Sequence, residues 1–365
     1  MIIPTSDIKS ICSNVLAAVD TSDTSMVAEA LSLHCENNVL TLSVTNREYF
    51  VRFSVPVLGA ESFDAVINSQ LFLKLVSSFT AETVTLEIDN SFLVVKSNGE
   101  YKIPLIYDGK DMLKLPEIEL KNIVTDTTCE DKLFKSIMVY NSKELMKDNF
   151  VLPVQQLYFV DKDGCLTFTT GACINDFNLP LTKSLLFNSK LVKLFKLLSD
   201  DVNVQVAEDA ISSTLTQTKI KLSSGNVEIF SILFCDDSMV KTVPTGAIRN
   251  RATKAYPGAI SVDKNMLLQS ISRLMLFMTK NDIGYIGNFE LKDTVMTISI
   301  SKGAKETVFY DMVDGTDGYE FKLSLNDLKL ALDAYTESDV NIKFGDHQAI
   351  VVTSSNISYV IPEQV

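Results

Sequence analysis

Histidine is scarce in this chain, and that scarcity limits the chemistry that its side chains can perform. The 365 residues include two histidines, His34 and His347, far apart in the sequence. A histidine-based metal site, or a Ser-His-Asp or Cys-His catalytic arrangement, would need one of them to meet its partners by coincidence. We therefore expect both to be structural or surface residues, and we predict no metal site.

Other motifs that carry catalytic chemistry are equally weak. The sequence contains neither a GxxxxGK[ST] loop nor a GxGxxG loop, so it gives no support for phosphate or dinucleotide binding. The segment Asp161–Gly164 lacks the later ligands of a calcium loop, and Asp-x-Asp-Gly is more often a turn. We predict no catalytic residue, no cofactor and no enzymatic activity.

Cationic side chains form the one patterned polar feature. Lys190, Lys193 and Lys196 stand three residues apart, and no acidic residue lies between Asp176 and Asp200, although the net charge of the chain is −13. One interpretation is an ordinary solvated helix face; the other is sequence-independent contact with nucleic-acid phosphates. The second gains weight because equivalent helices elsewhere carry Lys9, Lys74, Lys132, Lys135, Lys264, Arg273 and Lys329.

These cations must be positioned by elements that the sequence repeats three times. A polar residue followed by an apolar helical stretch and then an alternating strand recurs at Asn68, Asn188 and Asn326, at a spacing of roughly 120 to 140 residues. A repeat this long indicates copies of a whole domain. We predict domains at 1–120, 121–250 and 251–365, with linkers at 115–127 and 245–258.

Each repeat is predicted to contain two helices and several strands. The first helices are expected near residues 8–16, 130–140 and 264–277, with Asp7 as a cap of the first. The second helices are expected to begin at the three asparagines, which serve as caps. Predicted strands include 40–45, 83–88, 92–96, 166–170, 202–206, 296–301 and 340–344. Asn98-Gly99 predicts a hairpin turn. Two helices backing antiparallel sheet, three times over, is an α+β array.

Composition places the chain among globular proteins. Hydrophobic residues make up 46% of it, no stretch approaches a membrane span, and residues 1–4 lack the pattern of a signal peptide. The six cysteines show no CxxC motif or regular spacing, so we expect them to be reduced and mostly buried. These features predict a cytoplasmic protein without a membrane partner.

Three stretches together resemble one family. They are Thr45–Glu48 after the first Leu-Thr-Leu strand, Leu166–Ile174 in the second repeat, and Tyr359–Pro362 near the C-terminus. The second resembles an apolar strand ending in Thr-Asp-Gly-His-Arg-Leu, and the third a closing Tyr-x-x-Met-Pro. With the three α+β repeats, they resemble the bacterial DNA polymerase III beta subunit, the DNA sliding clamp, along essentially the whole chain.

The chain also departs from the family pattern. Thr170, Ala172 and Cys173 stand where the family has Asp, His and Arg, and Glu363-Gln364 stand where Met-Arg is common. The resemblance therefore implies a divergent member, with a bacteriophage and its infected bacterial host among the candidate sources.

The resemblance implies a shape and a function. Two chains would close head to tail into a homodimeric ring around double-stranded DNA, with helices lining the hole and sheets forming an acidic outer wall. Such a ring is a processivity factor for DNA replication, which tethers DNA polymerase and is opened by a clamp loader. The cations implied to face the hole are Lys9, Lys74, Lys132, Lys135, Lys190, Lys193, Lys196 and Arg273.

The resemblance also implies two binding surfaces. A cleft for partner peptides between domains two and three would comprise Val154, Thr169, Gly171, Ile174, Lys241, Thr242, Val360, Ile361 and Pro362. The dimer junction would join Tyr101 and Ile103 to Phe277 and Met278 of the next subunit. The alternative for each residue is ordinary packing.

One alternative function remains beside the clamp. A non-catalytic structural or peptide-binding protein of repeated α+β domains, such as a viral assembly component, fits the same composition. An end-dependent retention on DNA would distinguish the clamp from it.

Overall fold

The chain folds into two compact units, each assembled from two segments of the sequence. In the computed structural model, unit 1 combines Met1–Phe134 with Lys190–Asp236, and unit 2 combines Lys135–Ser189 with Asp237–Val365. The structure describes residues 1–57, 61–138, 154, 157–168, 171–212, 216–233, 237–279, 285–315, 318–345 and 349–364. Both units consist of helices packed on antiparallel sheet, which confirms the predicted α+β class.

The helices are short, and most begin at the residue that follows a strand. They are α1 (Thr5–Ala18), α2 (Met26–Glu29), α3 (Ser69–Ser78), α4 (Asp131–Met138), α5 (Ser189–Leu194), α6 (Asp237–Thr242), α7 (Thr245–Thr253), α8 (Lys264–Met275) and α9 (Leu325–Ala334). A 3₁₀ turn at Phe195–Leu197 extends α5. The predicted linker at 245–258 therefore contains a helix, α7, which the sequence interpretation missed.

The strands of the first half are β1 (Ile2–Pro4), β2 (Ala30–Glu36), β3 (Val39–Thr45), β4 (Tyr49–Pro56), β5 (Phe63–Asn68), β6 (Thr83–Asp89), β7 (Phe92–Lys96), β8 (Glu100–Pro104), β9 (Tyr107–Asp108), β10 (Asp111–Met112), β11 (Ile123–Glu130), β12 (Leu157–Asp161) and β13 (Gly164–Phe168).

The strands of the second half are β14 (Ala172–Asp176), β15 (Leu185–Asn188), β16 (Asp201–Ala210), β17 (Thr216–Ser224), β18 (Val227–Leu233), β19 (Gly258–Asp263), β20 (Ile286–Lys292), β21 (Val295–Ser299), β22 (Lys305–Asp314), β23 (Glu320–Ser324), β24 (Asp339–Phe344), β25 (Ile350–Ser354) and β26 (Ile357–Ile361). The predicted strands all lie within or overlap these elements, and the turn at Asn98-Gly99 joins β7 to β8.

The predicted threefold repetition is visible in the strand order. One sheet of each repeat has the order β1-β6-β7-β8, β11-β16-β17-β18 or β19-β24-β25-β26, and the other has β5-β2-β3-β4, β15-β12-β13-β14 or β23-β20-β21-β22. In each repeat the first strand runs directly into the first helix, and the last strand of the other sheet runs directly into the second helix. The same order of elements thus occurs three times.

A single backbone hydrogen bond marks the same point in each repeat. The first N–H of the first helix donates to the carbonyl of the residue just before the strand that follows the second helix. This bond joins Thr5 to Glu82 at 2.8 Å, Asp131 to Asp200 at 3.2 Å and Lys264 to Ser338 at 2.8 Å. It satisfies one of the N–H groups that a helix start leaves unpaired.

The predicted helix caps are only partly right. Asn68 caps α3, because its side chain accepts a hydrogen bond from the Leu71 N–H at 2.9 Å. Asp7 and Asn326 are not caps, since each lies inside the first turn of its helix. Ser324 caps α9 instead, because β23 ends there and its extended backbone lets the hydroxyl accept from the Asp327 N–H.

Sheets of neighbouring repeats join edge to edge within each unit. In unit 1, β18 pairs with β4, which makes one eight-stranded sheet. In unit 2, β14 pairs with β26, which contributes to a twelve-stranded sheet. Because these pairings cross from one repeat to the next, the compact units do not coincide with the repeats. The domain boundaries at 120 and 250 stay predictions.

The interior is apolar and the isolated polar motifs lie at the surface. Cys12, Cys35, Cys165 and Cys173 are buried free thiols, as expected. His34 is half-exposed and its Nδ1 lies 2.6 Å from Asp64 Oδ1, which confirms a surface role, whereas His347 lies outside the described residues. Among the described helices, none combines the length and apolar composition that crossing a membrane requires.

Candidate functional site

A partly apolar cleft of about 290 Å³ opens on unit 2. Its lining residues are Phe168, Gly171, Ala172, Pro244, Ala247, Ile248, Arg251, Ala349, Val360 and Pro362. Antiparallel pairing of β14 with β26 builds one side, since it sets Ala172 opposite Val360. Helix α7, which packs against β26, supplies the other side. The cleft can hold an extended peptide or a small apolar side chain.

Glycine at position 171 is required by the close approach of two backbones in the cleft. A Cβ placed on Gly171 would lie 2.7 Å from the Val360 carbonyl oxygen and 3.4 Å from Pro362 Cδ. The first distance is shorter than real Cβ contacts, so any side chain would push β26 away. The start of β14 and the end of β26 therefore approach more closely than any other residue type at this position would permit.

Helix α7 is held on the sheet by one arginine. Arg249 Nη1 lies 2.5 Å from Asp176 Oδ1, and Nη2 lies 3.5 Å from Asp161 Oδ1. Burial raises the pKa of the Asp161 carboxyl, although the Asp163 N–H donates to it at 2.9 Å. The predicted turn at 161–164 is confirmed, since residues 162–163 join β12 to β13 and Gly164, the first residue of β13, adopts a positive φ of 128°. This turn thus anchors the helix that forms a cleft wall.

Exposed lysines line the helix faces of unit 1. Lys193 and Lys196 are exposed, while the neighbouring Leu191, Phe195 and Leu198 are buried. The 3₁₀ turn after α5 keeps a three-residue spacing on one face. Lys74 on α3 is exposed and Lys9 on α1 half-exposed, and these two helices pack together. No ion pair engages these four lysines within the described residues.

Lys190 differs from the two lysines that follow it. Its Nζ lies 2.9 Å from Oδ2 of Asp20, whose side chain is 9% exposed. Burial would raise the pKa of the Asp20 carboxyl, but hydrogen bonds from Ser22, Asn46 and Lys190 outweigh it and hold that pKa well below its usual range. The bond to Asp20 also raises the pKa of Lys190. Lys190 therefore links the second repeat to the end of α1.

Other predicted cations are also paired with acids. Arg273 on α8 donates to both carboxylate oxygens of Glu306, at 2.7 and 2.6 Å. Lys132 on α4 forms an ion pair with Glu130. Lys135 is exposed on the same helix. The positive charge available to a partner is therefore concentrated on fewer side chains than the sequence suggests.

Strands β8 and β22 have no partner strand from a neighbouring repeat in the described part of the chain, whereas the equivalent strands of the other repeats do. Strand β8 pairs with β7 alone, whereas β18 and β26 each have a second partner. Strand β22 pairs with β21 through residues 305–309 and with β19 through 310–314, so each half has one open edge. Large apolar side chains are exposed on β22 and just after α8, which packs against β22. Phe309 on β22 is 71% exposed, and Leu276 and Phe277 after α8 are 82% and 60% exposed.

Comparison with known proteins identifies this architecture. No protein-family profile matches the chain. Solved structures of a putative DNA polymerase III beta subunit from Eubacterium rectale and of the sliding clamp from Bacillus subtilis both superpose with a TM-score of 0.81, at 16% identity, over 100% of this chain and 98% of theirs. A griselimycin-bound sliding clamp from Pseudomonas aeruginosa superposes with a TM-score of 0.84, at 13% identity, over 100% and 99%. The chain has the sliding-clamp fold.

A curated relative agrees with this result over part of the chain. The beta sliding clamp of Mycoplasmopsis pulmonis is 26% identical over 144 residues, which is 39% of this chain and 35% of that protein. The alignment thus covers about a third of the relative, while the structural match covers the whole chain. The resemblance predicted from sequence is confirmed as a sliding-clamp fold, and the low identities fit a divergent sequence.

The predicted cleft residues fall into three groups within the sliding-clamp fold. Gly171, Val360 and Pro362 line the cleft. Val154, Ile174 and Ile361 do not: they are 3%, 2% and 2% exposed and belong to the packed interior. Lys241 and Thr242 are exposed on α6, outside the lining, and Thr169 lies outside the described residues. The cleft assignment as a whole stays a prediction.

The sequence interpretation missed the helix that forms one wall. Pro244, Ala247, Ile248 and Arg251 line the cleft from α7 or its start. Proline at a helix start and the i, i+4 pair of Ile248 and Ala252, both buried, were signals for this helix. They were outweighed by the glycine and proline content of 245–258.

The predicted junction residues are also unlike one another in the sliding-clamp fold. Tyr101 is 39% exposed on β8, and Phe277 is exposed as expected. Ile103 is 2% exposed, so its side chain packs inside unit 1 and only its backbone lies on the β8 edge. Met278 is half-buried. No group of His, Cys, Asp and Glu in the described ranges is arranged to hold a metal ion.

Proposed function

We propose that the chain is a DNA sliding clamp, a processivity factor that encircles double-stranded DNA and tethers DNA polymerase. One observation carries this proposal: the fold matches DNA polymerase III beta subunits over the whole chain and 98–99% of theirs. A non-catalytic role accords with that fold and with the lack of catalytic motifs in the sequence. We place this activity in the bacterial cytoplasm, including that of a phage-infected cell.

The internal repetition supports a head-to-tail homodimer. The last strand of one sheet pairs with the edge strand of the preceding repeat's other sheet, as β18 pairs with β4 and β26 with β14. By the same rule, β8 would pair with a strand equivalent to β22. The counterparts of β8 are β18 and β26, the counterparts of β22 are β4 and β14, and these counterparts already pair with each other. A second chain placed head to tail can supply the strand equivalent to β22, so two chains would complete the pattern.

Exposed apolar surface supports the same junction. Phe309 lies on β22, Leu276 and Phe277 follow α8, which packs against β22, and Tyr101 lies on β8. A monomeric protein gains nothing from such side chains next to an unpaired strand edge, which invites association. Pairing β8 with β22 would cover the edge and the apolar side chains together.

Sequence-independent DNA contact rests on the exposed lysines. Lys9, Lys74, Lys193 and Lys196 lie on helices rather than on the strands of the sheets. They would neutralise phosphates weakly, and a closed ring would supply retention without tight binding. Lys190 and Arg273, which already pair with Asp20 and Glu306, would contribute less.

The cleft on unit 2 is the proposed docking site for DNA polymerase and for a clamp loader. Its lining is mostly apolar and includes side chains from β13, β14, β26 and α7. Anchoring one or two apolar side chains of a peptide there is worth roughly 1.5–3 kcal/mol each. Such a site suits short peptide segments of exchangeable partners.

Topological retention tests the proposal. The protein is mixed with linear DNA that carries biotin at both ends, so that rings can thread over the open ends without a clamp loader. Streptavidin is then added to one half of the sample to block the ends, and both halves are filtered at moderate salt. We expect retention on the blocked DNA and loss from the open-ended DNA. Equal retention on both contradicts a ring, and no binding to either favours the alternative, a structural or peptide-binding protein.

A further inference from the structure

The pairing of β4 with β18 in unit 1 is covered on one face by the linker that joins the first repeat to the second. The Tyr49 hydroxyl on β4 donates to the Ala18 carbonyl at the end of α1, so Tyr49 lies on the helix side of the sheet. Phe50 therefore points to the opposite side. On that side Ile118 of the linker is buried against Phe50 and Phe230. The side chains that pack around these three are Leu115, Leu120 and Ile232. We call residues 115–120 the strap.

Polar contacts fasten the strap on both sides of its buried isoleucine. Before it, Glu117 forms an ion pair with Arg52 at 2.5 Å. After it, Lys219 Nζ donates to the Glu119 carbonyl and to Asp209 Oδ2, each at 2.8 Å. Asp209 Oδ1 also accepts from the next two backbone N–H groups, those of residues 121 and 122, at 3.1 and 2.8 Å. The strap is therefore held on the sheet by apolar and polar contacts together.

The covered surface is the counterpart, in unit 1, of the cleft in unit 2. Arg52 pairs with the fifth residue of β3 and Ala172 with the fifth residue of β13, and both of these strands follow a two-residue turn. Phe230 and Val360 are each the fourth residue of the last strand of their repeat, which also follows a two-residue turn. The two junctions differ by two residues in register, a shift that leaves the same positions on the same face. Arg52 and Phe230 are thus equivalent to Ala172 and Val360, which line the cleft.

We propose that the strap is a built-in ligand of a second docking groove, which β4 and β18 form on unit 1. The inference rests on the proposed docking role of the equivalent cleft and adds a site that the chain itself occupies. The strap has the character of a docked segment, because one apolar anchor contacts two aromatic rings and a neighbouring carboxylate pairs with an arginine. Each chain therefore presents one open docking site rather than two.

Covalent attachment keeps the groove closed to other segments. The strap lies between β10 and β11 of the same unit, so it meets the groove at an effective concentration on the order of 1 mM. A free segment of similar affinity would have to approach that concentration to displace it. Loss of one buried isoleucine anchor weakens docking by about tenfold or more. A free peptide that keeps the anchor should then gain affinity by a similar factor.

Supplying the strap as a free peptide tests this inference. The probe is a fluorescent peptide of residues 113–122, and its anisotropy measures the dissociation constant from the full-length protein. Ile118→Ser removes the anchor of the tethered strap. Glu117→Lys is a second variant, because it breaks the pair with Arg52 from an exposed position and leaves the interior intact. The matched control is Glu119→Ala, which removes an exposed side chain from the same strap.

A blocked cleft assigns the bound peptide to one unit. Each measurement is repeated in proteins that also carry Ala247→Trp, since Ala247 is exposed on α7 and a larger side chain there fills the cleft of unit 2. We expect Ile118→Ser to bind the peptide at least about tenfold more tightly than the wild type and Glu119→Ala do, with Glu117→Lys between them. This gain should survive Ala247→Trp, and the peptide should raise the melting temperature of Ile118→Ser.

The opposite results overturn the inference. Equal affinity for all four proteins, or a gain that Ala247→Trp abolishes, would place the peptide in the cleft of unit 2. That outcome would reject the second groove and leave the docking role of the cleft intact. No binding to Ile118→Ser and Glu117→Lys would reject the groove as well. If Ile118→Ser does not fold, the comparison of Glu117→Lys with Glu119→Ala decides.

Discussion

Shortening Phe309 tests whether two chains close a ring through the β8 and β22 edges. The side chain is 71% exposed in the chain by itself. A phenylalanine buries about 200 Å² when fully covered, so about 140 Å² remains to be removed from water. At about 25 cal/mol per Å² this area corresponds to about 3.5 kcal/mol. Because burial converts incompletely into affinity, we expect Phe309→Ala to cost about 2 kcal/mol at each junction.

A closed ring of two chains contains this junction twice. The loss then doubles to about 4 kcal/mol, which raises the dimer dissociation constant nearly a thousandfold, whereas in an open dimer with one junction the constant would rise about thirtyfold. Sedimentation velocity over a dilution series with fluorescence detection measures the constant. The size of the effect therefore distinguishes a ring from a single edge-to-edge contact.

A matched substitution separates the junction from general loss of apolar surface. Ile211 is 58% exposed just after β16 and lies on neither proposed edge, so Ile211→Ala should leave the dissociation constant unchanged. Phe277→Asp should also favour monomers, since its carboxylate would be buried without a partner. Dissociation constants within threefold of the wild type for both Phe309→Ala and Phe277→Asp would refute the assignment of the junction.

Two further predictions concern the lysines of α5 and the turn that extends it. Replacing Lys193 and Lys196 with Gln should leave thermal stability unchanged. The slope of log DNA retention against log salt concentration should fall by about one unit for each phosphate that is no longer neutralised. An unchanged slope would show that these lysines form an ordinary solvated helix face. Lys190→Ala should instead lower the free energy of unfolding by about 1 kcal/mol, after allowance for solvent screening of this partly exposed pair. The folded-state pKa of Asp20 lies below its unfolded value of about 4, so its stabilisation is complete above that pH and is lost as the pH falls further. The fall in unfolding free energy between pH 7 and pH 3, measured by urea unfolding, should therefore be smaller in Asp20→Asn than in the wild type, and an equal fall in both would contradict the lowered pKa of Asp20.

The sequence by itself determined the repeating pattern of the fold. Alternation of apolar residues predicted β6, β7 and β24 within one or two residues, because each strand buries one face. The cap at Asn68 and the hairpin turn at Asn98-Gly99 were predictable because they depend on local backbone chemistry. Recurrence of these local signals at long spacing predicted three similar copies, and three short motifs, one of them near the C-terminus, pointed to the sliding-clamp fold.

Only the tertiary structure decided which residues share a surface. Val154, Ile174 and Ile361 belong to the same part of the fold as the cleft residues, but their side chains pack into the core. Lys190 shares the three-residue spacing of Lys193 and Lys196, but it forms an ion pair with Asp20, which is distant in sequence. Arg251 lines the cleft because α7 packs on β26, an arrangement that no local pattern encodes. Such pairings depend on long-range packing, in which a side chain's partner is set by the path of the whole chain.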